Sequence, residues 1–136
     1  MSEKALKKVL AFGSFDPLTD AHKDFFRQAK SLGDYLTVVV AHDSALRAHK
    51  HREPLMSEQE RLSAVKQVHD VDEAIIGRHT ADKYHILGEL DFDVLVMGYN
   101  QEPSDEEVIS ELRERGKHYV QVVRLQPYDE SGSSAN

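Results

Sequence analysis

Seven consecutive residues, Tyr35-Leu36-Thr37-Val38-Val39-Val40-Ala41, constrain this chain more than any other stretch. The run is apolar and β-branched almost throughout, so it reads as a strand. Without polar alternation it predicts burial on both faces, hence a parallel sheet covered by helices.

The remaining pattern agrees with that sheet. Val9 to Phe12 reads as a buried strand broken by Gly13, and Glu73 to Ile76 as a short strand ending at Gly77. Asp93 to Met97 is stopped by Gly98, and Tyr119 to Leu125 supplies a fifth strand. Between them, Asp20 to Ser31 predicts a helix with Phe25, Phe26 and Ala29 on one side and Gly33 as its C-terminal glycine. Ser57-x-x-Glu60 and Ser104-x-x-Glu107 are capping boxes. The helices they open turn Leu62, Val65 and Val68, and Val108 and Leu112, inward; Gly116 ends the second. Thr80 to Leu87 reads as helical, and His42 to Met56 as a polar loop. Strands alternating with helices predict an α/β fold, a single doubly wound five-stranded parallel sheet of Rossmann-like type. At 136 residues this is one domain, residues 1–128, followed by a polar tail, 129–136.

Ligands in such sheets bind beyond the carboxyl ends of the strands, at the switch point. Gly13 to His22, His42 to Arg52, Gly98 to Gln101 and Gln126 to Tyr128 all fall there. In the first, strand, glycine turn and helix start follow one another, which offers backbone N–H groups and a positive dipole end to an anion. His22 stands in the first helical turn, so the segment reads as a phosphate site with an imidazole aimed into it. The loop Arg47-Ala48-His49-Lys50-His51-Arg52 adds three permanent cations, Arg47, Lys50 and Arg52, to a chain of net charge −7. Cations so placed stabilise charge on the oxygens of a transferring phosphoryl or nucleotidyl group. A zinc site from His42, His49 and His51 is disfavoured by its weak spacing. Arg61, just past a capping box, either reaches the phosphates or pairs with Glu58 or Glu60.

Composition narrows the classes. The acidic balance argues against a nucleic-acid-coating surface. No apolar run approaches a membrane span, and MSEKALKK leads into a strand without a signal-peptide pattern. The absence of cysteine excludes disulfides and thiolate metal sites and suits a cytoplasmic protein.

Gly13-Ser14-Phe15-Asp16 followed by Thr19-x-x-His22 resembles the first motif of the nucleotidyltransferase superfamily, which includes the cytidylyltransferases and phosphopantetheine adenylyltransferase. The common pattern His-x-Gly-His is here Thr19-Asp20-Ala21-His22. Thr19 is similar to the phosphopantetheine branch, whereas Ala21 puts a methyl where backbone approaches the nucleotide. Gly33-Asp34-Tyr35-Leu36, Val71-Asp72-Glu73 and Val96 to Gln101 resemble the archaeal FAD synthetases, which are similar to the glycerol-3-phosphate cytidylyltransferases. Asn100 stands where that branch often has Asp. Ser131 to Ser134 stands where family members have a Ser/Thr-rich segment before a final helix.

The resemblance implies a nucleotidyltransferase of the Rossmann-like nucleotidyltransferase type. It would move AMP from ATP to a phosphate acceptor, with FMN giving FAD, and release pyrophosphate. A cytidylyltransferase acting on glycerol 3-phosphate, a phosphopantetheine adenylyltransferase and a nucleotide-binding protein without turnover are the alternatives. It implies nucleotide contacts at Ser14, Phe15, Thr19, Asp20, Ala21, His22, Asn100 and Tyr128. Catalytic roles fall to His22, Thr19 and Lys50, and phosphate contacts to Arg47, Arg52 and Arg61. A divalent ion, most simply Mg²⁺, accompanies ATP. Partners are ATP and FMN or another phosphorylated small molecule, without nucleic acid or membrane; a homodimer is compatible with this reading.

Overall fold

The computed structural model describes residues 6–77, 84–99, 101 and 103–127. Its elements run β1 (Lys8–Gly13), α1 (Asp20–Lys30), β2 (Tyr35–Val40), α2 (Asp43–Lys50), α3 (Glu58–Lys66) and β3 (Glu73–Ile76). They continue with α4 (His85–Glu89), β4 (Val94–Met97), α5 (Asp105–Glu114) and β5 (Gln121–Arg124). The strands form one five-stranded sheet in the order β3-β2-β1-β4-β5, every neighbouring pair parallel. The order reverses between β1 and β4, so their carboxyl ends define the switch point.

Alternate strand residues feed two cores. Val9, Ala11, Leu36, Val38, Val40 and Val96 pack on one face with Phe26 and Ala29 of α1 and Val65 of α3. Leu10, Val39, Leu95 and Met97 pack on the other with Ile86 and Leu87 of α4 and Val108 and Leu112 of α5. The two-sided burial predicted for β2 thus follows from helices on both faces.

Register is set by a repeated device at the amino ends of the strands. Asp34, Asp72 and Asp93 each stand immediately before a strand and accept a backbone N–H from its neighbour. Asp34 takes that of Lys7 at 2.8 Å, Asp72 that of Leu36 at 2.8 Å and Asp93 that of Lys8 at 2.9 Å. Burial works to raise the Asp72 pKa, but Lys30 and the Leu36 N–H outweigh it and hold it low.

Several local expectations need correction. The stretch read as a loop from His42 to Met56 contains α2. His42 caps it, its Nδ1 accepting the Ala45 N–H at 3.1 Å, and His51 closes it in the left-handed region at φ 58°. Its buried apolar side is essentially Leu46, and no glycine ends it, so periodicity had little to show. Gly33 is not a left-handed cap. A Cβ there would lie 2.6 Å from the Lys7 carbonyl oxygen, so the residue serves the close approach of α1's exit to β1. Gly116, at φ +75°, is the helix-ending glycine expected. β5 is shorter than the Tyr119–Leu125 run. Of the helix expected over Thr80–Leu87, α4 begins at His85, and 78–83 lie outside the described residues. Among the described residues no helix is long and apolar enough to cross a membrane.

Candidate active site

The turn between β1 and α1 is built around Phe15. Its backbone adopts φ 55°, a region that disfavours bulky residues, while its ring is 3% exposed. The ring lies 5.1 Å from both Phe26 and His22, meeting His22 edge to face. This unusual backbone sends the side chain into the core and leaves the main chain of Ser14 to Asp16 at the edge of the sheet. Gly13 allows it: a Cβ there would stand 2.4 Å from the Phe15 ring.

Thr19 and His22 form a reciprocal capping box. Thr19 Oγ1 accepts the His22 N–H at 3.3 Å, and His22 Nδ1 accepts the Thr19 N–H at 3.0 Å. An accepting Nδ1 places the ring hydrogen of the neutral imidazole on Nε2, so the box sets His22 up as an Nε2–H donor. Helix geometry leaves the N–H groups of Asp20 and Ala21 without intrahelical acceptors, at the positive end of α1. Backbone donors and an oriented imidazole N–H together suit a phosphate group.

Asp16 ties this turn to the segment after α2. Its side chain is 1% exposed and accepts the N–H groups of Leu55 and Met56, each at 2.8 Å, and Arg52 Nη1 at 3.0 Å. Burial works to raise its pKa, but the two backbone donors and the guanidinium outweigh it and hold the carboxyl below its ordinary value. Arg61 locks the same region from beneath. Fully buried, it donates to the carbonyls of Met56 at 3.1 Å, Ser14 at 2.9 Å and Ala41 at 2.7 Å, and to Asp43 at 2.7 Å.

On the β4 side, Gln101 accepts the Gly98 N–H at 2.9 Å and donates to the Phe12 carbonyl at 3.2 Å. Arg124, at the end of β5, donates to the carbonyls of Gly98 at 2.6 Å, Gln101 at 3.0 Å and Pro103 at 3.1 Å, and pairs with Asp105. Both loops flanking the end of β1 are therefore held by a guanidinium reading backbone carbonyls.

The segment of Ser14 to His22, the Arg52 loop, Gly98 and Gln101 meet at the carboxyl edge. Arg61 takes neither of its anticipated roles: it pairs with Asp43 rather than Glu58 or Glu60, and its donors are spent on the loops. Arg47 pairs with Glu53 at 2.8 Å, an interaction that raises its pKa. Since Arg47 is 47% and Glu53 78% exposed, that pair is readily exchanged for another anion. Asn100, Tyr128 and the side chains of His49 and Lys50 lie outside the described residues. Sequence reasoning missed Arg124 and the Asp16 anchor, for which no spacing rule exists. It could have found Arg61, which shares the inward stripe of Val65 and Val68 at i, i+4, i+7.

Comparison with known proteins places these features in a family. The sequence profile described as Cytidylyltransferase-like matches residues 10–135. An FAD synthase of Aciduliprofundum boonei is 41% identical over 124 residues, 91% of this chain and 81% of that protein. An FAD synthase of Thermococcus onnurineus is 38% identical, over 93% of this chain and 83% of its own. Among solved structures, a protein of Thermoplasma volcanium described as a lipopolysaccharide core biosynthesis protein superposes with a TM-score of 0.85 at 34% identity. That match covers 92% of this chain and all of the other.

Proposed function

The chain belongs to the cytidylyltransferase-like family of nucleotidyltransferases, and from that premise we propose that it transfers AMP from ATP to FMN, forming FAD and pyrophosphate. The observation that carries the acceptor is the likeness to proteins named FAD synthase, at 38–41% identity over more than nine-tenths of the chain.

An FMN phosphate oxygen attacks the α-phosphorus of ATP. The new P–O bond forms as the bond to the β-phosphate's bridging oxygen breaks, and pyrophosphate leaves with that electron pair. The acceptor is already anionic, so no side chain need be a covalent nucleophile, and catalysis is positioning plus charge stabilisation. His22 donates Nε2–H to a phosphate oxygen, and the Asp20 and Ala21 N–H groups receive neighbouring oxygens. Thr19 orients the imidazole. Arg47, Lys50 and Arg52 supply positive charge, while Ser14, the main chain of Phe15, Asn100 and Tyr128 line the nucleotide. Arg61 acts through the loops it holds. Mg²⁺ enters with the triphosphate as part of the substrate. The reaction belongs in the cytoplasm.

Incubation with ATP, Mg²⁺ and FMN, followed by pyrophosphate assay and separation of flavins, tests this. FAD and pyrophosphate in equal amounts are expected. Turnover with CTP and glycerol 3-phosphate, but not with ATP and FMN, would replace the reading.

A further inference from the structure

Leu55 is 70% exposed, the most exposed large apolar side chain among the described residues. Its backbone is nonetheless firmly fixed. The Leu55 and Met56 N–H groups both end on Asp16, whose side chain is 1% exposed and also receives Arg52. An apolar side chain left in water is unremarkable on a loose loop. Here a buried carboxylate holds the main chain so that the side chain stands at the edge of the nucleotide turn. Preorganising an apolar contact in this way lowers the ordering cost of binding a ligand against it.

The topology says which ligand. Asp16 belongs to the β1–α1 turn, and the segment it anchors follows β2 and α2, so Leu55 flanks the turn on the side away from the β1/β4 switch point. Gly98 and Gln101 occupy the other flank. An in-line displacement at the α-phosphorus brings acceptor and leaving group from opposite sides. With the base at the switch point and the phosphates on the start of α1, the flank carrying Leu55 is the one left open to an acceptor. Arg52, three residues earlier, is bound to Asp16 and helps fix the segment, and Leu55 matches an apolar body carried by the acceptor. Glycerol 3-phosphate has no such body; a flavin has a flat ring.

We propose that Leu55 is a specificity-determining residue that packs on the ring system of a flat aromatic phosphate monoester, FMN, with Asp16 as its positioning residue. This rests on the adenylyl-transfer reading given above.

The experiment compares wild type, Leu55→Ser and Leu55→Met for FAD formation, varying FMN and ATP separately, with a flavin-fluorescence titration and a thermal melt. Leu55→Ser is expected to raise KM for FMN and weaken FMN binding about tenfold, as for loss of roughly 1.4 kcal/mol. KM for ATP and Tm should move little, and Leu55→Met should retain most of the affinity. If wild type makes FAD and Leu55→Ser keeps its FMN affinity, the inference is overturned and the function stands. If wild type neither binds FMN nor makes FAD, both are overturned.

Discussion

Arg61 lies 2.7 Å from the carboxylate of Asp43 with none of its own side chain exposed, while Asp43 keeps 26% of its side chain in solvent. The pair joins α3 to the start of α2, and the remaining Arg61 donors hold three carbonyls. Removing the guanidinium strands all four acceptors. Arg61→Ala is expected to destabilise the fold by about 3–5 kcal/mol, the scale for breaking a buried ion pair. Arg61→Lys should recover little, since one ammonium cannot span that fork. Urea unfolding measures this; a wild-type midpoint with lost activity would return Arg61 to a phosphate-binding role.

Asp16 makes a prediction about pH. Its folded-state pKa lies below the ordinary 3.8, so the unfolded chain binds the proton more readily. The stabilisation it supplies is complete above the unfolded value, about 3.9, and is lost as pH falls through the lower folded value. Wild type and Asp16→Asn should therefore differ most at neutral pH, by about 1–3 kcal/mol for the charge-assisted bonds, and converge only as pH falls from about 4 through the lower folded value. Asp72, also lowered, falls in the same window and is common to both proteins, so their difference isolates Asp16. A gap that stays constant with pH would show that the Asp16 charge is not what holds the loop.

How far the sequence spoke depended on range. The β2 run and the helix caps at Ser57 and Ser104 are local features, and their elements formed as read, with the reciprocal box given at Ser57. The doubly wound sheet followed from them. α2 escaped because one buried leucine, Leu46, gives no periodicity. Gly33 was misread because the Lys7 carbonyl that demands a glycine is 26 residues away in the chain. The turn at Gly13–His22 was legible as strand, glycine turn and helix start, but the reciprocal Thr19–His22 box was not, because histidine is not a usual third residue of a capping box. Arg124 and Asp16 act across the fold on groups that sequence distance conceals.

Gly13→Ala should damage fold and site together. The new methyl would meet three Phe15 ring atoms at 2.4, 2.8 and 2.9 Å, and the ring is backed by Phe26 and cannot retreat. Overpacking of this kind costs about 1–3 kcal/mol. A displaced Phe15 also loses its edge contact with His22, so KM for ATP should rise. Gly13→Ala combined with Phe15→Leu should be more stable than the sum of the single changes allows, because the smaller side chain makes room. Additive losses in thermal melts would mean that the two residues do not collide.

His22→Ala should lower kcat by roughly 10²–10³, the scale of one preorganised donor. The change also removes half of the capping box, for which about 1 kcal/mol or less is expected. Thr19→Val keeps the backbone N–H that Nδ1 accepts and loses only Oγ1, so it should retain more activity than His22→Ala at similar stability. Equal kcat in wild type and His22→Ala, with a lowered Tm alone, would make His22 purely a cap.

Ala21 is the second residue of α1, half-buried, with its N–H at the helix end that faces the turn. Glycine there would let the phosphates approach the backbone more closely, at a loss of up to about 1 kcal/mol of helix stability. The Thr19–His22 box fixes the backbone on both sides of Ala21, so the turn has little freedom to move away from its methyl. Ala21→Gly is therefore expected to tighten ATP binding while lowering Tm. Calorimetric titration of MgATP beside a thermal melt reads both changes. Lost stability without gained affinity would show instead that the phosphates bind clear of the methyl. If neither form turned over ATP with FMN, glycerol 3-phosphate or phosphopantetheine, bound ATP would mark a nucleotide-binding protein in which the family's chemistry has lapsed.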